Sequence, residues 1–273
     1  MKLSIILPSI RTHNLDRFYD SVQGSCQEYD WEIVVASPFD LPESLYNKNN
    51  VKLIKTFDKI PVCIQRATKL AEGELICHLV DDCELLPSSL DQSIDFFKDT
   101  CSKKDALCLT YVELANYMVS PERWRVKSIL EGSEWAHEFQ SPFINPEWFV
   151  FVQPMMLRRR FIELGGMDCQ FEYSNHAHHD LAFRLQIQGG NVHVPPFMIS
   201  VAAHMPERTG DHGPVHDAQT GPDQKRFNQL YQYERTPVIN YNNWEECSGR
   251  WERRFGNEYL SYEEMCSQEG YSF

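Results

Sequence analysis

The stretch Leu75-Ile76-Cys77-His78-Leu79-Val80-Asp81-Asp82 is an apolar run that ends on two adjacent aspartates. The run from Leu75 to Val80 predicts a buried strand. Two neighbouring carboxylates repel each other, and they are tolerated when water solvates them or when a cation lies between them. The stretch is therefore interpreted either as a solvated turn or as a site for a hard cation such as Mg²⁺ or Mn²⁺.

Strand and helix patterns alternate around this stretch. Such alternation predicts βαβ units and an α/β fold with a mostly parallel sheet flanked by helices. Strands are predicted at 3–7, 31–36, 51–54, 75–80, 106–111, 191–194 and 198–203. Helices are predicted at 15–26, 62–71, 87–100, 157–164, 179–188, 225–233 and 243–255.

Ligands of a parallel sheet bind at the carboxyl ends of its strands. The candidate ligand-binding segments are therefore Pro8 to Arg11, Ser37 to Asp40 and Asp81 to Glu84. Three tryptophans of the irregular middle, Trp124, Trp135 and Trp148, are interpreted either as core residues or as stacking surfaces for sugars. The glycine-rich segment 207–224 is either a lid over a bound ligand or an ordinary surface connection.

Composition excludes several classes of protein. The chain has 273 residues and 42% hydrophobic residues, which is typical of a globular protein. Its 39 acidic and 26 basic residues give a net charge of −13, which argues against nucleic acid as a partner. No apolar run approaches the ~20 residues of a transmembrane helix, and the N-terminal run lacks a signal-peptide cleavage site. A cytoplasmic location is expected.

The nine cysteines contain no CxxC pair, which argues against a zinc knuckle and against a thioredoxin-type site. Several cysteines stand in apolar runs, for example Cys63, Cys77 and Cys108. Buried free cysteine behaves as a small apolar residue. We therefore expect these cysteines to be free and buried.

Several segments resemble the family 2 type of GT-A glycosyltransferases. The opening Ser4 to Arg11 is similar to the family's first strand and its "PT-x-N-R" end, and Glu32 to Val35 is similar to its second strand. Residues 66–76, running into Asp81-Asp82 and Pro87, resemble "AR-N…A-x-G-x-y-i-x-f-l-D-x-D-x-x-x-x-P".

The second half of the resemblance lies further along the chain. Leu164 to Asp168, followed by Asp180 to Gly189, is similar to "GG-f-D…E-D-x-D-L-x-x-R-x-x-x-x-G". Together the matching segments cover about residues 3–205. The resemblance implies a GT-A-like catalytic domain at 1–210, with a nucleotide-binding half at 1–112 and an acceptor half at 113–210. Residues 211–273 would then form a lid loop and a helical extension.

The activity implied by the resemblance is the transfer of a sugar, with inversion, from a nucleoside-diphosphate sugar to a hydroxyl group. The acceptor would be a glycan, a glycolipid or a glycoprotein. The cofactor implied is Mn²⁺ or Mg²⁺, which would stabilise the departing diphosphate. A non-catalytic glycan- or nucleotide-binding protein on this scaffold and a metal-dependent phosphoesterase are the alternatives.

The metal ligands implied by the resemblance are Asp82, directly, and Asp81, which would contact ribose or a metal-bound water. The motif reads Val80-Asp81-Asp82 here, a departure from the family's D-x-D. His204, which follows the last predicted strand, is a further candidate ligand. Its alternative interpretation is a histidine of the core or the surface.

The family's general base falls on an acidic pair that corresponds to Ala177 and His178 in this chain. Asp180 is the preferred candidate base and His178 the second, since a carboxylate or a neutral imidazole can accept a hydroxyl proton. Asp180 is alternatively a helix cap. His178 and His179 would line the acceptor site.

Candidate contacts to the nucleotide come from the strand ends and from arginines, whose guanidinium group pairs well with phosphate. These candidates are Pro8, Ser9, Arg11, Ser37, Arg66, Asp81 and Arg208. Each arginine is alternatively an ordinary surface residue. The family's base-reading aspartate has no counterpart in Ala36-Ser37-Pro38, so the nucleobase stays open.

Overall fold

The computed structural model describes residues 1–114, 149–203, 212–233, 249–256 and 264. Its strands are β1 Leu3–Pro8, β2 Trp31–Ser37, β3 Val51–Lys55, β4 Leu75–His78, β5 Cys83–Leu85, β6 Ala106–Cys108, β7 Tyr111–Leu114, β8 Pro154–Leu157, β9 Val192–His193 and β10 Ser200–Ala203. Its α-helices are α1 Leu15–Ser25, α2 Ile60–Leu70, α3 Ser89–Thr100, α4 Arg158–Glu163, α5 Ser174–Ile187, α6 Gly213–Ala218, α7 Gln224–Asn228 and α8 Glu252–Phe255.

Seven strands form the main sheet in the order β3-β2-β1-β4-β8-β6-β9. The first four strands of this order run parallel to one another, whereas β8 is antiparallel to both β4 and β6. A smaller sheet has the order β5-β10-β7. The result is the expected α/β fold with a mostly parallel sheet.

Strand β1 is central because it can be buried on both faces. Its residues Leu3, Ile5, Ile6 and Leu7 have no solvent exposure. Ile5 and Leu7 pack in the core on the side of α1 and α3, and Ile6 packs in the core on the side of α2 and α5. A continuous apolar run of this kind is typical of a parallel strand covered by helices on both faces.

The predicted elements at 3–7, 15–26, 31–36, 51–54 and 62–71 are confirmed within a few residues. The predicted strand 106–111 is wrong in its extent, because β6 ends at Cys108 and Tyr111 begins β7 in the smaller sheet. Strands β5 and β8 were not predicted. They have only three and four residues, so their sequences carry little periodicity.

The polar segment 207–224 is helical over its described part. Helix α6 continues through a π-helical stretch, Gln219–Asp223, into α7 and a second π-helical stretch, Gln229–Tyr233. Pro222 lies inside the first π-helical stretch. Proline lacks the N–H for a regular helical hydrogen bond and crowds the preceding turn, which accounts for the widened turn. The predicted loop was therefore wrong from Gly213 onward.

The expectation of free, buried cysteines is confirmed for the three cysteines that were named. Cys63, Cys77 and Cys108 are free and buried. Cys169, in contrast, is disulfide-bonded, and such bonds are typical of oxidising compartments. The cytoplasmic location stays a prediction. Within the described ranges, no helix combines the length and the apolar character that crossing a membrane requires.

Candidate functional site

Four parallel strands deliver polar residues to one edge of the main sheet. Ser9 follows β1, Ser37 closes β2, Thr56 follows β3, and Asp81 lies three residues beyond the end of β4. Because parallel strands share an orientation, their carboxyl ends meet at this edge. The ligand-binding segments predicted from the sequence therefore lie together.

The aspartate pair occupies the turn between β4 and β5. This turn is closed by a hydrogen bond from the Cys83 N–H to the Val80 carbonyl oxygen, at 3.4 Å. The Asp81 Oδ2 atom accepts hydrogen bonds from the Ser9 hydroxyl at 2.6 Å and from the Arg11 backbone N–H at 3.2 Å. Asp81 is thus tied to the end of β1, and its side chain is 6% exposed.

The Arg11 guanidinium lies against both aspartates. Its Nη1 atom is 2.7 Å from Asp82 Oδ2 and 3.2 Å from Asp81 Oδ1. Its Nη2 atom is 3.5 Å from Nε2 of His212, the residue that precedes α6. The positive charge of Arg11 offsets part of the repulsion between the two carboxylates.

The chemistry of the pair fits a hard divalent cation, and Asp82 is the better placed ligand. Both oxygens of Asp81 already meet protein donors, whereas the Asp82 side chain is 16% exposed. In the described parts of the chain, no three or more His, Cys, Asp or Glu side chains are grouped to hold a metal. Mg²⁺ sites commonly use one or two carboxylates plus substrate phosphates. A two-metal phosphoesterase would need more ligands than these carboxylates.

Ser37 and Arg66 have local partners. The Ser37 hydroxyl accepts a hydrogen bond from the Phe39 N–H at 3.0 Å, which shapes the turn after β2. Arg66, on α2, pairs with Asp58 at 2.6 Å, and its side chain is 39% exposed. Arg66 therefore lies beside the residues that follow β3, and its side chain is partly exposed.

Thr56 and Asp58 are site-edge residues that the sequence analysis missed. Asp58 accepts hydrogen bonds from the Thr56 hydroxyl at 2.5 Å and from the Gly249 N–H at 3.2 Å, in addition to its ion pair with Arg66. Ligands of a parallel sheet bind at the carboxyl ends of its strands, and both residues lie just after β3, so the sequence could have identified them.

The segment 249–256 packs beside the same edge. The Trp251 N–H donates to the Phe57 carbonyl oxygen at 2.8 Å, and the Lys59 N–H donates to the Gly249 carbonyl oxygen at 2.9 Å. Trp251 and Phe255 are buried in a small apolar cluster that also includes Ala218 of α6. The predicted helical extension therefore covers part of the edge that carries the aspartate pair.

Asp180 is enclosed in the protein core. Its side chain has no solvent exposure, and it pairs with Arg184 at 2.7 Å. The Tyr231 hydroxyl donates to Asp180 Oδ1 at 2.5 Å. Burial raises the pKa of Asp180. Helix α5 begins at Ser174, so Asp180 is not a helix cap either.

His178 is also buried, with 3% exposure. Its Nε2 atom is 2.9 Å from Nδ1 of His78, at the end of β4. Burial lowers the pKa of His178, and the neighbouring His78 adds to this effect. Both candidate bases are therefore buried in this structure, and their role as general base stays a prediction.

The prediction that the histidines precede a helix is wrong. His176, His178 and His179 lie inside the first turns of α5, because the helix begins earlier than its sequence pattern indicates. The rings of His176 and His179 pack against Phe227 of α7. His179 has 9% exposure, so it does not form the open lining that was expected of it.

The Gly-Gly-Met-Asp and Asp-Leu-x-x-Arg segments are brought together by Arg184. Its Nη1 and Nη2 atoms donate to the carbonyl oxygens of Leu164 and Gly166 at 2.5 and 2.8 Å. Gly166 has a φ of 69°, which glycine adopts readily. Asp168 has no exposure and pairs with Arg226 of α7. These segments contribute to packing in this structure.

Five predicted site residues lie outside the described residues. They are the candidate ligand His204, the candidate phosphate contact Arg208, and Trp124, Trp135 and Trp148. Their assigned roles stay predictions.

Comparisons with known proteins were informative at the level of structure. No protein-family model matches the sequence, and no curated protein matches it. The crystal structure of S. aureus TarS 1-349 is similar, with a TM-score of 0.53 and 14% identity over 74% of this chain and 60% of that one. TarS 1-349 in complex with UDP-GlcNAc gives a TM-score of 0.52 at 14% identity, over 75% of this chain and 59% of that one.

A structure of GalNAc-T7 with UDP, GalNAc and Mn²⁺ is also similar, with a TM-score of 0.57 and 12% identity over 86% of this chain and 49% of that one. This chain therefore has a GT-A-like fold. It spans between about half and three fifths of the length of these three structures. At such low identity the likeness concerns the fold, and the chemistry has to be argued from the site.

Proposed function

We propose that this chain transfers a sugar from a nucleoside-diphosphate sugar to a hydroxyl group of a carbohydrate-bearing acceptor. The observation that carries the proposal is the pair Asp81-Asp82, held by Ser9 and Arg11 at the carboxyl edge of four parallel strands. In a sheet of this type, that edge is where ligands bind. The GT-A-like neighbours TarS and GalNAc-T7 support this choice of chemistry.

The donor would bind over the first 112 residues, with its diphosphate toward Asp82 and Arg11. Both neighbours are described with UDP, which makes UDP the first nucleotide to test. Asp82 would hold Mn²⁺ or Mg²⁺, and His204 would be a further ligand. When bound, the cation would offset the negative charge that builds on the departing diphosphate.

The chain's own residues would orient the donor. Ser9 and the Arg11 backbone hold Asp81 in place, and Asp81 in turn positions the turn that carries Asp82. Arg11 and Arg66 would supply positive charge to phosphate oxygens. Attack by the acceptor hydroxyl in a single displacement would invert the configuration of the sugar, and the acceptor would be a glycan, a glycolipid or a glycoprotein.

The decisive experiment measures thermal stabilisation by UDP, GDP, CMP and dTDP, each with and without Mn²⁺. A ligand at 100 times its dissociation constant stabilises a protein by about 2.7 kcal/mol. We expect one nucleoside diphosphate to stabilise the chain only with Mn²⁺, and Asp82→Asn to abolish that stabilisation.

The matched control is Asp95→Asn. Asp95 lies on α3, with a side chain that is 56% exposed and close to Lys98. This variant removes one carboxylate away from the candidate site, and it should respond to nucleotide and Mn²⁺ as the unmodified chain does. If Asp82→Asn is stabilised as strongly as Asp95→Asn, the aspartate pair does not hold the cation and the proposal fails.

The second candidate function is nucleotide-sugar binding without catalysis. The observation that favours it is the burial of both predicted bases, Asp180 and His178. Release of UDP from UDP-GlcNAc and other UDP-sugars, measured with mixed glycan acceptors, separates the two functions. Acceptor-dependent release supports the transferase, and donor binding without release supports the binding protein.

A further inference from the structure

The Arg11 guanidinium contacts both carboxylates of the aspartate pair. Its Nη1 atom is 2.7 Å from Asp82 and 3.2 Å from Asp81, and the backbone N–H of the same residue also donates to Asp81. The Arg11 side chain is only 17% exposed. Arginine stays protonated at all ordinary pH values, so its charge remains at this position unless the side chain moves.

If Arg11 stayed in its present place, a divalent cation would have to compete with its guanidinium group for the Asp82 carboxylate. Asp82 Oδ2 already accepts from Arg11 Nη1, and both oxygens of Asp81 also meet protein donors. A guanidinium and a divalent cation on one carboxylate would repel each other within a few ångströms. Binding the cation therefore requires Arg11 to leave the aspartate pair.

A diphosphate would give Arg11 another partner. Phosphate oxygens can accept hydrogen bonds from two guanidinium nitrogens of one arginine. Such charge-assisted hydrogen bonds are among the strongest in proteins. A nucleoside diphosphate placed at this edge would supply the acceptor that draws Arg11 away and would also supply oxygens to the cation. The two ligands would then assist each other's binding.

We propose that Arg11 is a positioning residue that couples the two ligands. Without nucleotide, Arg11 blocks the aspartate pair against a free divalent cation. When a nucleoside diphosphate binds, Arg11 moves away from the aspartate pair. The inference rests on the proposed nucleotide-binding function. It implies that the cation binds weakly to the ligand-free chain and tightly to its nucleotide complex. Coupling between two such sites is typically about 5- to 150-fold, and it is the same for either ligand.

The test measures binding of Mn²⁺ alone, from the EPR signal of free Mn²⁺, to the full chain and to Arg11→Gln. Without nucleotide, we expect Arg11→Gln to bind Mn²⁺ about tenfold tighter than the unmodified chain, because the competing charge is gone. The matched control is Arg159→Gln on α4, where the side chain is 89% exposed and pairs with Glu163. It removes the same charge elsewhere and should leave Mn²⁺ affinity unchanged.

A second measurement uses the unmodified chain, so that the test does not depend on the folding of a variant. UDP should tighten Mn²⁺ binding roughly 5-fold or more. Equal Mn²⁺ affinity of the unmodified chain and Arg11→Gln, or no effect of UDP on a chain that binds both ligands, overturns the coupling and leaves the proposed function in place. If the unmodified chain binds neither UDP nor Mn²⁺, the coupling and the proposed function both fail.

Discussion

At the scale of single residues, Asp180 shows that burial determines what a carboxylate can do. Its two oxygens meet Arg184 and the Tyr231 hydroxyl, and no part of its side chain is exposed. A general base needs access to the proton that it accepts. Asp180 instead links α5 to the residues that follow α7.

We predict that Asp180→Asn destabilises the fold by about 3–5 kcal/mol, because it leaves the buried charge of Arg184 without its partner. Tyr231→Phe removes only one hydrogen bond to Asp180 and should cost about 1–2 kcal/mol. Urea unfolding monitored by circular dichroism measures both effects. A stable Asp180→Asn variant that binds the donor but has lost turnover would contradict a purely structural role and support Asp180 as the base.

At the scale of elements, residues 213–233 are tied to the rest of the fold by three buried carboxylates. Arg226 of α7 pairs with Asp168, Tyr231 donates to Asp180, and Asp223 accepts from the backbone N–H groups of Glu172 and Tyr173 at 2.8 and 2.9 Å. These contacts are typical of helices that pack permanently against the rest of a fold. A lid that opens would have to break all three.

We predict that Arg226→Gln lowers the free energy of unfolding by roughly 3 kcal/mol, because Asp168 is fully buried and would lose its ion pair. The neighbouring Lys225 is exposed on the same helix. Lys225→Gln is therefore the matched control, and we expect it to change stability by less than about 0.5 kcal/mol. Equal effects of the two substitutions in urea unfolding would show that the Asp168 ion pair contributes little.

At the scale of the whole molecule, buried histidines couple stability to pH. Burial lowers the pKa of His78 to about 3, that of His176 to about 4 and that of His179 to about 3. In the unfolded chain these side chains titrate near the ordinary value of about 6.5. Their contribution to stability is therefore fully present above pH 6.5 and is lost as the pH falls toward the folded pKa values.

We predict that the free energy of unfolding falls between about pH 6.5 and pH 4, by about 1.4 kcal/mol per pH unit for each such histidine. Asp223 acts in the opposite direction, because burial raises its pKa to about 6, so part of the fall is offset. Urea unfolding at successive pH values measures the slope. His178→Gln should make the slope shallower, and a flat profile would contradict the prediction.

The parallel sheet and the position of the candidate site were predictable from patterns of consecutive residues. Strands β1, β2 and β4 were predictable because strands buried on both faces are largely continuous apolar runs, a pattern of consecutive residues. The position of Asp81 and Asp82 followed from the same pattern, since both directly follow such a run. Because the carboxyl ends of parallel strands meet at one edge of the sheet, Ser9 and Ser37 were also predicted to lie there.

The pairing of charges, in contrast, depends on tertiary packing. Arg11 lies against Asp82 across 71 positions of sequence, and Tyr231 meets Asp180 across 51. His178 is buried where α5 meets the end of β4, and residues 213–233 contact the rest of the fold through Asp168, Asp180 and Asp223. A sequence pattern records the environment of consecutive residues. Burial and charge pairing between distant segments depend instead on how the elements pack.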